Sequence, residues 1–83
     1  MKTPNISKSA EKAFDKMDLP TKTRILSGIT GLFDEPPQGD IKPLKGQLAG
    51  SYRLRVGSWR IIYEVTEKTI NILDVTPRGG AYK

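Results

Sequence analysis

Arg53, Arg55 and Arg60 bracket the dipeptide Gly57-Ser58. Guanidinium groups remain charged at any working pH and match phosphate oxygens through paired hydrogen bonds. Such a cluster suits an anionic ligand, and its natural chemical task is to stabilise charge that builds in a transition state. It does not move protons. Lys42 and Lys45 precede the cluster, and Arg78, Tyr82 and Lys83 follow it. The chain has no histidine and no cysteine. That removes the usual proton-transfer side chain near neutrality, the commonest metal ligand, thiolate chemistry and disulfides. Neither a metal nor a cofactor is expected.

The spacing predicts how the cluster is presented. Tyr52, Leu54 and Val56 alternate with Ser51, Arg53 and Arg55, the period-2 pattern of a strand with two unlike faces. Gly57-Ser58 fits a two-residue hairpin turn that wants glycine first, with Trp59 to Thr66 as the returning strand. The register follows. Val56 faces Trp59, Leu54 faces Ile61 and Tyr52 faces Tyr63, giving one apolar face. On the other, Arg53 meets Ile62, Ser51 meets Glu64 and Arg55 meets Arg60. Like charges directly opposite each other destabilise a sheet by up to roughly 1 kcal/mol, and no Asp or Glu is expected opposite any of these arginines. Solvated edge charges that discourage strand aggregation are the plainer account, but the density of the cluster favours an anion-binding surface. Taken alone, Tyr82 reads as a packed terminal aromatic.

Other elements must hold this hairpin. Ile6 ends a short first strand, limited by Pro4 to an edge or a start. Ser7 is an N-cap for a helix whose stripe is Ala10, Ala13, Phe14 and Met17. Asp18-Leu19-Pro20 breaks that helix, and Pro20 suits the first turn of a second with Ile25, Leu26, Ile29, Leu32 and Phe33 as its apolar face. Gly28 and Gly31 inside it each cost about 1 kcal/mol relative to Ala, which close approach to another element would explain. Pro36-Pro37-Gln38-Gly39 ends the helical half, and Thr69 to Val75 forms the last strand. The expected fold is α+β: a short N-terminal strand and a two-helix hairpin packed on one face of an antiparallel meander, with the other face open.

At 83 residues the chain makes one domain, residues 1–83. The net charge of +5 is unevenly spread. Six Lys/Arg and six Asp/Glu cancel from Met1 to Ile41, whereas Lys42 to Lys83 carry eight against three. A nucleic acid or an acidic protein segment is the partner such an excess suggests, and ordinary solubility charge is the alternative. No apolar run is long enough to span a membrane or serve as a secretory signal, so a cytoplasmic protein is expected.

The stretch Lys42-Pro43-Leu44-Lys45-Gly46 to Gly50-Ser51-Tyr52-Arg53-Leu54-Arg55-Val56-Gly57-Ser58-Trp59-Arg60-Ile61-Ile62-Tyr63 resembles the central signature of RelE/ParE toxins. Ser7 to Ala13 is similar to the start of that family's first helix, and Leu73-Asp74-Val75 with Arg78 and Tyr82 to its C-terminal end. The resemblance implies a microbial-RNase-like fold and a toxin of a type II toxin–antitoxin system. In the RelE-like branch it implies an endoribonuclease that enters the ribosomal A site and cuts mRNA by attack of a 2′-hydroxyl on the adjacent phosphate. Catalytic roles then fall to Arg55, Arg60, Arg78 and Tyr82, and RNA contacts to Arg53, Lys42, Lys45 and Lys83. Tyr82 would serve as general acid or base, since arginines beside it favour its ionised form. Glu64 is a weaker base, better suited to a salt bridge with a neighbouring arginine. Pro77 stands where many relatives have histidine, and arginines stand where some ribonucleases have lysine. A cognate antitoxin, bound as a hetero-oligomer, is the implied protein partner. The resemblance leaves two alternatives: a ParE-like inhibitor of DNA gyrase, or an inactive basic relative.

Overall fold

A computed structural model of the chain describes residues 2–46 and 50–77. Strand β1 (Thr3–Ile6) leads into helices α1 (Lys8–Asp15) and α2 (Leu19–Gly31). Strands β2 (Asp40–Pro43), β3 (Ser51–Val56), β4 (Trp59–Val65) and β5 (Thr69–Pro77) follow. They form one five-stranded sheet in the order β1-β5-β4-β3-β2. β1 runs parallel to β5, and the other pairs are antiparallel. The α+β expectation holds, with the first strand at an edge where Pro4 needs no ladder partner on its outer side.

The helix ends are where their caps dictate. Ser7 accepts from the backbone N–H of Ala10 at 3.1 Å and donates its own hydroxyl to the Leu73 carbonyl at 2.8 Å. It thereby caps α1 and ties it to β5. Asp18 accepts from the Thr21 N–H at 3.0 Å, with Pro20 in the first turn of α2. These bonds to Thr21 hold the Asp18 carboxyl below the usual carboxylate range. Ala10, Phe14, Ile25, Ile29 and Leu32 are buried against Leu54, Ile61, Ile70, Ile72 and Val75. Leu26 departs from the expected face. It is 40% exposed, because Ile25, Ile29 and Leu32 already make the inward stripe and Leu26 lies beside it.

Gly28 explains itself. A Cβ there would lie 2.7 Å from Val56 Cγ2 and 3.6 Å from Leu54 Cδ2, so the missing side chain lets α2 lie directly on β3. No helix among the described residues is long and apolar enough to cross a membrane.

Three features were not legible in advance. β2 adds a strand outside β3, formed by residues that follow directly on the Pro-Pro-Gln-Gly break. β5 runs on to Pro77, which pairs with Trp59. Between Ile62 and Tyr63 the β4–β5 register shifts by one: Ile62 faces Asp74 but Tyr63 faces Ile72, leaving Leu73 as an extra residue. The shift allows Ile70, Ile72 and Val75 all to be buried in the core despite their uneven spacing.

Candidate functional site

The hairpin forms in the predicted register. Val56 pairs with Trp59, Leu54 with Ile61, Tyr52 with Tyr63, Arg55 with Arg60, Arg53 with Ile62 and Ser51 with Glu64. Gly57 has φ +59°, which the first position of the turn demands and which glycine adopts freely. On the face away from the helices, β2 and β5 extend the rows. One row runs Asp40–Arg55–Arg60–Thr76, and the next runs Lys42–Arg53–Ile62–Asp74.

The first row corrects the expectation that no acid stands opposite the arginines. Asp40 is the cross-strand neighbour of Arg55, and its carboxylate reaches diagonally to Arg53, Nη2 to Oδ1 at 3.2 Å. This correction follows from β2 itself, since without that strand nothing brings Asp40 to the cluster. Arg53 is only 7% exposed, its stem standing beside Ile62, and its guanidinium is engaged by Asp40. The face is therefore not uniformly open: Ser51, Arg53 and Ile62 are buried, whereas Arg55, Lys42 and Lys45 are exposed and Arg60 is half-buried.

The remaining carboxylates on this face have partners of their own. Glu64 accepts from Asn71 Nδ2 at 3.0 Å, so the expected ion pair with an arginine gives way to a hydrogen bond from an amide N–H. Asp74 accepts from Ser9 Oγ at 3.1 Å and from the Val75 N–H at 3.0 Å, turning it towards α1. What faces solvent is a cationic strip of Arg55 and Lys42, with half-buried Arg60 beside Arg55; the Thr76 hydroxyl oxygen, in register with Arg60, is buried. Thr76 and Asp40 are members of the site that the sequence pattern did not suggest. Arg78, Tyr82 and Lys83 lie outside the described residues.

Such a strip can bind an anion and stabilise charge on it. Within the described residues, the carboxylates of this face, Asp40, Glu64 and Asp74, are all already hydrogen-bonded.

Comparison with known proteins adds an independent line. A family model described as the ParE toxin of type II toxin-antitoxin system, parDE, matches residues 5–82. No curated protein matches the sequence. Among solved structures, the archaeal RelE–RelB complex from Pyrococcus horikoshii OT3 contains a chain 32% identical. The match covers 96% of this chain and 98% of that one, with a TM-score of 0.78. The RelBE2 toxin–antitoxin complex from Mycobacterium tuberculosis has a chain 25% identical, with 93% and 98% covered and a TM-score of 0.78. A YoeB/ParE toxin from Agrobacterium tumefaciens has the same fold at 21% identity, with 94% and 99% covered and a TM-score of 0.78.

Proposed function

The chain belongs to the RelE/ParE superfamily of type II toxin–antitoxin toxins, and from that premise we propose that it is a ribosome-dependent mRNA endonuclease. The observation that supports this reading best is the cross-strand pair Arg55–Arg60. Two guanidiniums in direct register bring donors from neighbouring strands to one place, where an anion can take paired hydrogen bonds from both. A scissile phosphate is such an anion. In the proposed reaction the 2′-oxygen forms a bond to phosphorus as the bond to the 5′-oxygen breaks. The 2′-hydroxyl gives up its proton to a base, and the departing 5′-oxygen gains one. Arg55 and Arg60 carry the charge that accumulates on the phosphoryl oxygens.

Arg53 contacts RNA in this reading only when its bond to Asp40 opens. Otherwise it holds the β2 edge against β3. Lys42 and Lys45, both exposed, take backbone phosphates along the message or ribosomal RNA. Arg78 as a further charge-stabilising group, Tyr82 as the acid or base and Lys83 as an RNA contact complete the proposal. The protein works in the cytoplasm, without a metal, and is held in check by a cognate antitoxin. The relatives from Pyrococcus horikoshii and Mycobacterium tuberculosis were solved as toxin–antitoxin complexes.

A second reading is favoured by the ParE name of the matching family: the same cationic face inhibits DNA gyrase through protein contact. One experiment separates the two. The purified protein is added to a translation reaction with a defined mRNA, and new 5′ ends are mapped. Cuts within codons, on translated message only, are expected. Arg60→Ala should reduce them by about 10²- to 10³-fold. Intact message together with blocked DNA supercoiling would move the protein to the gyrase branch.

A further inference from the structure

The face of the sheet that carries the helices is only partly covered by them. α1 and α2 lie over Leu54, Ile61, Ile72 and Val75. Further down the strands, Tyr52, Tyr63, Val65 and Ile70 floor a groove of about 790 Å³. One wall is the segment that follows α2, with Phe33, Asp34 and Glu35, and the other is formed by Lys2 and Glu67. Tyr52 and Tyr63 stack in the floor, with ring centroids 5.5 Å apart.

Two properties of this groove point to its occupant. The first is apolar exposure. Tyr52 is 36% and Val65 43% exposed, and Phe33 and Ile41 are half-buried beside them. A lone exposed apolar residue is ordinary, but several lining one concavity mark a binding surface. The second is charge. The rim carries three exposed carboxylates, Asp34, Glu35 and Glu67. The ammonium of Lys2 is turned onto the backbone carbonyls of Thr66 and Glu67. In a chain of net charge +5, this is a local reversal of sign.

We infer that the groove receives a segment of the partner antitoxin in which apolar side chains are flanked by lysine or arginine. The inference rests on the toxin–antitoxin reading for the identity of the partner, and on the groove for its chemistry. A polyanion is repelled by the three carboxylates. A second copy of the chain offers a poor match, because its cationic face presents Arg55 and Lys42 to solvent while Ile62 is buried. The partner then has two unlike parts: a basic-flanked apolar segment for this groove, and a separate acidic one for the arginine face.

Two synthetic peptides with the same apolar residues, one flanked by lysines and the other by glutamates, are titrated into the ¹⁵N-labelled full chain. The lysine peptide is expected to shift the amide resonances of Phe33, Val65 and Ile70. It should bind about tenfold tighter than the glutamate peptide, as three rim charge contacts change sign. Val65→Arg abolishes those shifts while its spectrum stays that of a folded chain. The double variant Glu35→Lys/Glu67→Lys reverses the preference.

Equal affinity for the two peptides, shifts confined to Lys42 and Arg55, or self-association of the free chain that Val65→Arg abolishes would each overturn the inference. Message cleavage is measured on the same wild-type and Val65→Arg samples. Cleavage without groove binding in the wild type sinks the groove assignment alone, and groove binding without cleavage sinks the ribonuclease reading alone.

Discussion

The carboxylate of Asp40 stands across the sheet from Arg55 but bonds Arg53, one row away, at 3.2 Å. Its side chain is half exposed, whereas that of Arg53 is almost wholly buried, at 9%. The pair thus lies between the exposed case, which adds little to stability, and the buried case, in which removing one partner strands a charge. Asp40→Ala should cost about 1–2 kcal/mol and loosen the β2 edge. Asp40→Asn, which keeps an acceptor for the guanidinium, should cost less. Urea denaturation of both variants measures the difference, and equal losses would mean that Arg53 needs the charge rather than the hydrogen bond.

Arg55 separates stability from binding. It has an acid on one side and an arginine on the other, so the two cross-strand terms largely cancel. Arg55→Ala should change unfolding stability by no more than about 0.5 kcal/mol. Its affinity for a short RNA should nevertheless fall, and the slope of log affinity against log salt should become shallower by roughly one phosphate contact. An unchanged slope would remove Arg55 from the anion surface.

At Gly28 a methyl group would meet Val56 Cγ2 at 2.7 Å. Alanine gains about 1 kcal/mol as a helix former, but overpacking against a stiff β-branched side chain costs about 1–3 kcal/mol. Gly28→Ala should therefore destabilise the chain. In a Val56→Ala background, where the obstructing methyl is gone, the same substitution should become stabilising. The sign change in this double-mutant cycle is the test.

Tyr63 is 3% exposed. Burial, and secondarily the neighbouring Tyr52 hydroxyl, push its ionisation up to about 12. In the unfolded chain the same hydroxyl ionises near 10. Between those values the folded state holds a proton that the unfolded state has released. Stability is thus unaffected by this group below about pH 10 and falls as pH rises towards about 12. Tyr63→Phe should flatten that alkaline loss. An alkaline stability curve that is unchanged in the variant would place the raised ionisation elsewhere.

Much of the cluster was legible because its rules are local. A period-2 alternation joined to a glycine-first two-residue turn leaves one register, and every cross-strand pair from Ser51–Glu64 to Val56–Trp59 formed as that rule requires. The helix starts at Ser7 and Asp18 were equally local, each fixed by a side-chain oxygen that satisfies an early N–H. Long-range features escaped. Asp40 to Pro43 is short and bounded by glycine and proline, so its strand character comes from its neighbour β3 rather than from its own pattern. The partner of Arg53 was hidden with it. The incomplete helix cover was also invisible, since an amphipathic stripe says which side of a helix is buried and not how far along a strand it reaches.

The extra residue at Leu73 gives β5 two phases. Residues up to Ile72 answer to β1 and the lower sheet, and residues from Asp74 onward answer to the arginine rows. Were Leu73 instead drawn into an unbroken ladder, Val75 would turn towards Arg60, and Asp74 and Thr76 would turn into the helix layer. Removing Leu73 itself would straighten the strand and leave every pair from Ile62–Asp74 to Trp59–Pro77 in place. The cationic surface thus depends on one apolar residue staying out of the pairing.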